Sequence, residues 1–196
     1  MRLFFLSLLW PILSLAASEE QVPLTNPLQD MSETYTPATS SKPTLADLLT
    51  IEPSVSIFYS YAREVELNEL FGNVDAKSTV LVPTNKAVMA LARKPHQDPE
   101  PSDTGVIISE EEFDALSKKN VERWVSAHII PELLTTLESR SYDTLLEGKS
   151  VTFKQLDATA TPDWAGFVVN DDVHIIAMKE ALNGVLYIID GTVKID

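Results

Sequence analysis

The sequence predicts an α+β fold whose helices come mostly first and whose strands come mostly last. Apolar residues recur at helical spacing between residues 44 and 130, whereas short β-branched runs separated by turn residues fill residues 150–195. Because the strands do not alternate with helices, this order favours antiparallel strands over the parallel sheet of βαβ units. The 196-residue chain contains no cysteine, so its hydrophobic core must form without disulfides.

The first 18 residues have the features of a secretory signal peptide. Arg2 supplies a positive start, residues 4–15 are mainly apolar, and the small residues 16–18 offer a cleavage site. The apolar stretch is shorter than the ~20 residues that a membrane span needs, and it contains Pro11. We therefore expect a cleaved signal, no stable membrane insertion, and a secreted or vacuolar destination.

Residues 19–43 predict a disordered leader, because they are rich in Ser, Thr and Pro and show no apolar period. The folded domain is expected to span residues 44–196. The whole chain has 15 Lys and Arg against 29 Asp and Glu, which gives a formal net charge of −14. Nucleic acid and anionic membrane surfaces would repel such a chain, so neither is expected as a partner.

The first half of the domain predicts several short helices. Thr44 caps the first helix, with Asp47 three residues later as its capping-box partner. Pro53 restarts the chain into a second helix with an aromatic and apolar stripe, which is typical of a core-facing side. A third short helix is expected to end at Gly72.

Residues 79–88, TVLVPTNKAV, change from strand to helix at a Pro-Thr-Asn corner. Pro83 has no N–H to give to a sheet, so it ends the strand or places it at an edge. Thr84 or Asn85 caps the helix that follows. A phosphate-binding loop would need glycines for close backbone approach, and this stretch has none. The corner is therefore predicted to be structural.

A long helix is expected to begin at the capping box formed by Ser109 and Glu112 and to continue up to Pro131. Its apolar spacing predicts that Phe113 and Leu116 face the core.

His128 lies one helical turn after Trp124 on an apolar face, which predicts a buried, neutral imidazole. We expect its ring to bond nearby backbone or the corner at residues 83–85. The chain lacks metal-ligand spacing such as His-Glu-x-x-His, a cysteine nucleophile and a Gly-x-Ser-x-Gly elbow. We therefore assign no catalytic residue, no cofactor-binding residue and no metal ligand, and we expect no cofactor.

The second half of the domain predicts strands at residues 150–156, 166–170, 173–177 and 184–195. Asn183 and Gly184 form the strongest turn signal in the chain, because both residue types tolerate positive φ. This pair is predicted to start the last strand as a structural element.

Four blocks of the chain resemble conserved blocks of the fasciclin-like domain family. They are the Thr-Val-Leu-Val-Pro-Thr-Asn-Lys-Ala-Val run at residues 79–88, His-Ile-Ile-Pro-Glu at 128–132, Thr-Leu-Leu-Glu-Gly at 144–148, and Asn-Gly-Val-Leu-Tyr-Ile-Ile-Asp at 183–190. The blocks occur in the family's order and spacing across residues 44–196.

The resemblance implies a single α+β module, an antiparallel β-wedge with a helical layer, that lacks a catalytic centre and a cofactor. The chain departs from the family pattern where Glu132 replaces a glycine and Tyr187 replaces a histidine. Residues 93–108 form a longer loop than the family's usual direct step into the next helix. Met178-Lys179 occupies the place of an Asp-Ile pair linked to integrin binding, so integrin recognition is not carried over.

Three functional hypotheses follow. The first is a non-enzymatic, adhesion-type interaction module of the secretory pathway that binds a protein or glycan partner, still unidentified, through surface loops. The polar loop at 93–108 is its expected contact surface, with candidate residues His96, Asp98, Glu100 and Asp103. The second is a carrier of a small apolar ligand held between the helical layer and the β-wedge. The third is a weak acidic hydrolase, because the many carboxylates could supply a catalytic pair. The oligomeric state is left open.

Overall fold

The computed structural model describes residues 42–97 and 109–195. The helices of these residues are α1 (Leu45–Ile51), α2 (Ser56–Glu64), α3 (Asn68–Gly72), α4 (Asn85–Ala90) and α5 (Glu110–Ser126). Short 3-10 helices cover Pro53–Val55, Pro95–Gln97 and Asp163–Gly166. The strands are β1 (Ser78–Pro83), β2 (Ile129–Ile130), β3 (Ser141–Asp143), β4 (Ser150–Gln155), β5 (Phe167–Val169), β6 (Val173–Ala181) and β7 (Gly184–Ile189). The predicted signal peptide and nearly all of the predicted leader lie outside the described residues.

Side-chain caps set the starts of α1, α4 and α5. The Thr44 hydroxyl accepts a hydrogen bond from the Asp47 N–H at 3.2 Å, and the Asp47 carboxylate accepts one from the Thr44 N–H at 2.8 Å. At α4, the Thr84 hydroxyl accepts from the Ala87 N–H at 3.2 Å, so Thr84 is the cap. Each cap satisfies a backbone donor that the first helical turn leaves without a partner.

The long helix ends earlier than its apolar pattern predicts. α5 stops at Ser126, and Ile129–Ile130 form β2, which pairs antiparallel with β1. The expected continuation of the helix to Pro131 is therefore wrong. Two consecutive β-branched residues, Ile129 and Ile130, are compatible with a strand or a helix. Pairing with β1 favours the strand here.

The first half of α5 is also more exposed than its pattern predicts. Phe113 and Leu116 are 54% and 44% exposed, and the buried residues of α5 begin at Asn120. Within the described residues, the first turns of α5 therefore contribute little to the core. Apolar spacing identifies one side of a helix, but it does not show how much of that side a neighbour covers.

Within the described residues, the strands form one sheet in the order β2-β1-β7-β6-β5-β4-β3. The predicted α+β class is confirmed, with one addition to its antiparallel pairing. β1 runs parallel to β7 along its whole length, from the pair Ser78 and Gly184 to the pair Pro83 and Ile189. The N–H of Leu145, just after β3, donates to the carbonyl of Ile129 in β2 at 2.8 Å. This bond joins the two ends of the strand order, so the sheet is nearly closed.

The central strands are buried on both faces. Every residue of β1 and of β7 is buried. Val80 and Val82 of β1 belong to the core cluster shared with the helices, whereas Leu81 belongs to the cluster on the other face of the sheet. Burial on both faces explains why these strands are continuous apolar runs without alternation.

Candidate functional site

The Pro-Thr-Asn corner joins β1 to the helical layer. Pro83 is the last residue of β1 and is buried. The Asn85 amide oxygen accepts from the Ile57 N–H at 2.9 Å, and its amide nitrogen donates to the Pro53 carbonyl at 2.8 Å. These bonds tie the start of α4 to the start of α2, and they engage both ends of the Asn85 amide within the fold.

His128 is fully buried just after α5. Its Nδ1 lies 2.7 Å from the Trp124 carbonyl oxygen, and its Nε2 accepts from the Val193 N–H at 3.0 Å. A carbonyl oxygen can only accept, so Nδ1 carries the proton and Nε2 is the acceptor. One neutral tautomer therefore satisfies both backbone partners. Burial lowers the pKa of His128 to about 4, which keeps the ring neutral near neutral pH.

Asn183 is a buried connector and not merely a turn residue. Its amide oxygen accepts from the Leu45 N–H at 2.9 Å. Its amide nitrogen donates to the carbonyls of Phe71 and Asn73, both at 2.9 Å. The side chain thus links the start of α1 and the end of α3 to the entry of β7.

Gly184 is required for close packing and not for positive φ. The described glycine with positive φ is Gly148, at 74°. A Cβ on Gly184 would overlap the Ser78 carbonyl oxygen and would lie 2.6 Å from Leu45 Cδ1. Parallel pairing with β1 on one side and α1 on the other leave no room for a side chain.

The expected contact loop is described only in part. His96 lies in the 3-10 helix Pro95–Gln97, with its Nδ1 3.4 Å from the Tyr61 hydroxyl. Asp98, Glu100 and Asp103 lie outside the described residues. The role of this loop in partner contact therefore stays a prediction.

A groove of about 890 Å³ opens on the sheet away from these motifs, and sequence reasoning missed it. We call it the Trp164 groove. Three separate parts of the chain line it: the segment after β2, the connection between β4 and β5, and the facing residues of β4, β5 and β6. The lining residues are Thr135, Thr136, Leu137, Glu138, Ser139, Gln155, Ala158, Pro162, Asp163, Trp164, Phe167, Met178 and Glu180.

The first wall of the Trp164 groove lies in the segment after β2, at residues 135–139. Buried polar side chains of the sheet hold this segment. The Thr79 hydroxyl donates to the Glu132 carbonyl at 2.7 Å and accepts from the Leu134 N–H at 2.8 Å. The Tyr187 hydroxyl donates to the Leu134 carbonyl at 2.8 Å, and burial raises its pKa to about 12. These bonds fix the start of the segment after β2 to β1 and β7.

The second wall of the groove is the connection between β4 and β5, and it carries Trp164. Trp164 is half-buried in the 3-10 helix Asp163–Gly166 and packs against the core cluster on this face of the sheet. The N–H groups of Leu156 and Asp157 donate to the Gly166 carbonyl at 2.8 and 3.2 Å, which closes the connection around the tryptophan. The indole ring is therefore held by the fold while part of it contacts solvent.

Three carboxylates line the groove, and two have a cation beside them. Glu180 lies 2.7 Å from the Lys42 ammonium, and Glu138 lies 3.3 Å from the Arg140 guanidinium. The hydrogen bond from Lys42 lowers the pKa of Glu180. Asp163 makes no ion pair with any residue that the structure describes. The groove therefore disfavours anions without being a strong cation site.

No local sequence motif predicts this groove, because its lining residues come from distant parts of the chain. The available signal is the run Thr161–Trp164, in which a tryptophan follows Pro162 and Asp163 in a turn-rich connection. A tryptophan in such a segment is more exposed than one in an apolar run, and exposed tryptophans are enriched at binding surfaces.

The described residues hold neither a cluster of metal ligands nor a membrane-spanning helix. Among residues 42–97 and 109–195, no group of three or more His, Cys, Asp or Glu side chains is placed to hold a metal ion. No helix in the same residues is long and apolar enough to cross a membrane.

Comparison with known proteins gives consistent family matches. The sequence model of the Fasciclin domain matches residues 53–194. A FAS1 domain-containing protein of Aspergillus fumigatus is 40% identical over 96 residues, which cover 47% of this chain and 41% of that protein. A FAS1 domain-containing protein of Candida glabrata is 27% identical over 159 residues, which cover 74% of this chain and 63% of that protein. The chain thus spans less than two thirds of the length of either relative.

The fold is similar to a solved structure of the same domain type, a FAS1 domain pair from the insect cell adhesion molecule fasciclin I. The TM-score is 0.50 at 16% sequence identity, and the match covers 78% of this chain and 51% of that one. At this identity the likeness concerns the fold.

Proposed function

Because the chain belongs to the fasciclin domain family, we propose that it is a non-enzymatic, adhesion-type interaction module of the secretory pathway that binds a protein or glycan partner through its surface. The Trp164 groove is the observation that carries this proposal, since it combines a held aromatic ring with polar side chains at the surface. The motif residues Asn85, His128 and Asn183 are engaged inside the fold, which leaves recognition to such surface features.

Glu180 is a poor candidate for the general acid of a hydrolase. A glycosidase needs a carboxylic acid with a raised pKa as proton donor. Lys42 has the opposite effect on Glu180, whose pKa it lowers through a hydrogen bond. A carboxylate held in its charged form can accept hydrogen bonds from a ligand, but it is a poor general acid.

Among the described residues, one small depression lies beside the helical layer, and it gives little support to a carrier function. It is lined by residues that include Leu91, Trp124 and Ile195, and its volume is about 90 Å³. Ligand pockets typically measure ~300–1,000 Å³. The Trp164 groove falls in that range, and it lies on the opposite face of the sheet from the helices.

A capture experiment tests the proposed function. The purified protein is immobilised on beads. It is then incubated with labelled extracellular extract from the cells that naturally produce it. The extract is used untreated, protease-digested, or oxidised with periodate. We expect saturable retention from the untreated extract and its loss after one of the two treatments, which identifies the partner as protein or glycan.

Beads that carry an unrelated protein of similar negative charge are the control. Retention equal to that control in all three forms of the extract would contradict the proposal. Turnover of broad glycosidase or esterase substrates by the purified chain would contradict its non-enzymatic part.

A further inference from the structure

The shape of the Trp164 groove suits an extended ligand. A second depression of about 220 Å³ shares the lining residues Thr135 and Glu180 with the groove, so the two lie side by side on the surface. The second depression adds apolar surface from Leu133 and Leu182, which are 46% and 38% exposed. A ligand can therefore run from Trp164 past Thr135 to Leu182, a path that favours a chain of several units over one compact molecule.

The charges along the groove favour a neutral ligand. An anionic chain would meet the carboxylates of Glu138, Asp163 and Glu180 in the groove. Lys42 and Lys77 line the second depression, where Lys42 pairs with Glu180 and Lys77 donates to backbone carbonyls. A basic peptide would find two of the three carboxylates already paired, with Arg140 and Lys42. A basic ligand could pair with Asp163 but would have to displace Arg140 or Lys42 at the other two carboxylates, whereas a neutral chain displaces and opposes no charge.

The polar side chains of the groove match hydroxyl groups. Ser139 accepts a hydrogen bond from the Gln155 N–H at 3.0 Å through its hydroxyl oxygen, and it keeps its own hydrogen to donate. Within the described residues, no hydrogen bond engages the side chains of Thr136 and Gln155. The hydroxyls and the amide can both donate and accept, and the Asp163 carboxylate accepts. Ligand hydroxyls need this mixture, because each is both a donor and an acceptor.

The aromatic ring supplies the apolar contact. Sugar rings carry C–H groups on their faces, and a flat aromatic side chain offers a complementary surface for them. Trp164 is half-buried and packs on the core, so little conformational entropy is lost when a ring stacks on it. Met178, also partly buried, adds an adaptable apolar surface beside it.

From the adjacent second depression, the charges and the polar and aromatic lining, we infer that the Trp164 groove binds a neutral oligosaccharide chain. This inference rests on the proposed interaction function and names the ligand class of the same site.

Binding of defined probes to the purified protein tests the inference. Neutral gluco-, manno- and N-acetylglucosamine hexasaccharides are titrated by calorimetry, beside a sulfated hexasaccharide and hexalysine. We expect saturable binding of at least one neutral hexasaccharide, and weaker binding of both charged probes. No binding of any neutral hexasaccharide, or tighter binding of hexalysine or of the sulfated probe, would overturn the inference.

Variants assign the binding to the groove. Trp164→Ala should weaken the affinity for the neutral hexasaccharide by about tenfold or more, since truncation of a tryptophan that anchors a ligand commonly has that effect. Thr136→Arg, at an exposed position of the first wall, should block the groove without touching the core. Phe113→Ala removes an exposed aromatic residue outside the groove and should bind like the parent chain. Unchanged affinity in Thr136→Arg would overturn the inference even if Trp164→Ala fails to fold.

The outcomes separate this inference from the function on which it rests. If the hexasaccharides fail to bind while the bead experiment shows retention lost only after protease treatment, the module binds a protein and the glycan inference is wrong. If the hexasaccharides bind and Thr136→Arg abolishes periodate-sensitive retention, both are supported. If neither probes nor extract bind, both are wrong.

Discussion

At the scale of single residues, His128 is a fully buried polar group on which the fold depends. Its two ring nitrogens satisfy the backbone groups of Trp124 and Val193, so the His128→Ala variant leaves both partners buried without a hydrogen bond. We expect a loss of roughly 1–3 kcal/mol in the free energy of unfolding. Denaturant titration measures this loss, and His174→Ala is the matched control, because its exposed side chain should change stability by only about 0.5 kcal/mol or less. Equal midpoints for the two variants would contradict the structural role.

The same histidine predicts how stability depends on pH. Burial lowers its pKa from 6.5 in the unfolded chain to about 4 in the fold. Between these values the unfolded state binds more protons, so folding stability falls as the pH falls from 6.5 to 4. The loss reaches at most about 3 kcal/mol, because one pKa unit corresponds to about 1.4 kcal/mol.

Unfolding titrations of parent chain and His128→Ala at several pH values from 7 to 4 measure this window. We expect a flatter dependence in the variant. Losses from carboxylates such as Asp47 and Glu112, whose pKa values hydrogen bonds lower, continue at more acid pH in both proteins. Parallel curves between pH 6.5 and 4 would show that the imidazole is not held neutral by burial.

At the scale of elements, the packing of β7 against α1 depends on a missing side chain. Gly184→Ala would place a methyl group against the Ser78 carbonyl and the Leu45 side chain, so we expect a loss of about 1–3 kcal/mol in unfolding free energy. Gly72→Ala is the matched control, because nothing lies within 4 Å of a Cβ built there. We expect that variant to be as stable as the parent chain or more stable by about 0.4–1 kcal/mol. Thermal unfolding measures both variants. Equal midpoints would contradict the close approach of Gly184 to Ser78 and Leu45.

The sequence predicts elements better than it predicts their partners. Caps such as Ser109 and breaks such as Pro83 act through neighbouring residues, so local chemistry reveals them. The parallel pairing of β1 with β7 joins residues about a hundred positions apart and has no local signature. The exposure of Phe113 has the same cause, since the extent of the helical layer is a property of the assembled fold. The Trp164 groove was missed because three distant segments form it.

At the scale of the whole molecule, the N-terminal sequence makes a prediction about the mature chain. If residues 1–18 are a cleaved signal, the secreted protein begins at Glu19 and carries a formal charge of −15, from 29 acidic and 14 remaining basic residues. Expression in a secretory host followed by N-terminal sequencing of the medium fraction measures this. In such a signal, Arg2 and the apolar stretch after it would drive targeting, so we expect deletion of residues 2–15 to leave the protein inside the cell. Secretion of an uncleaved chain, or of the deletion variant, would contradict the prediction.

The position of β7 has a consequence for how the chain is made. This strand comes after every other strand of the described residues in chain order, yet it lies between β1 and β6 near the middle of the sheet. A ribosome must therefore deliver residue 189 before β1 and β6 gain the partner that joins them. Until then the nascent polypeptide lacks the strand that joins β1 to β6, so its hydrophobic interior cannot be completed.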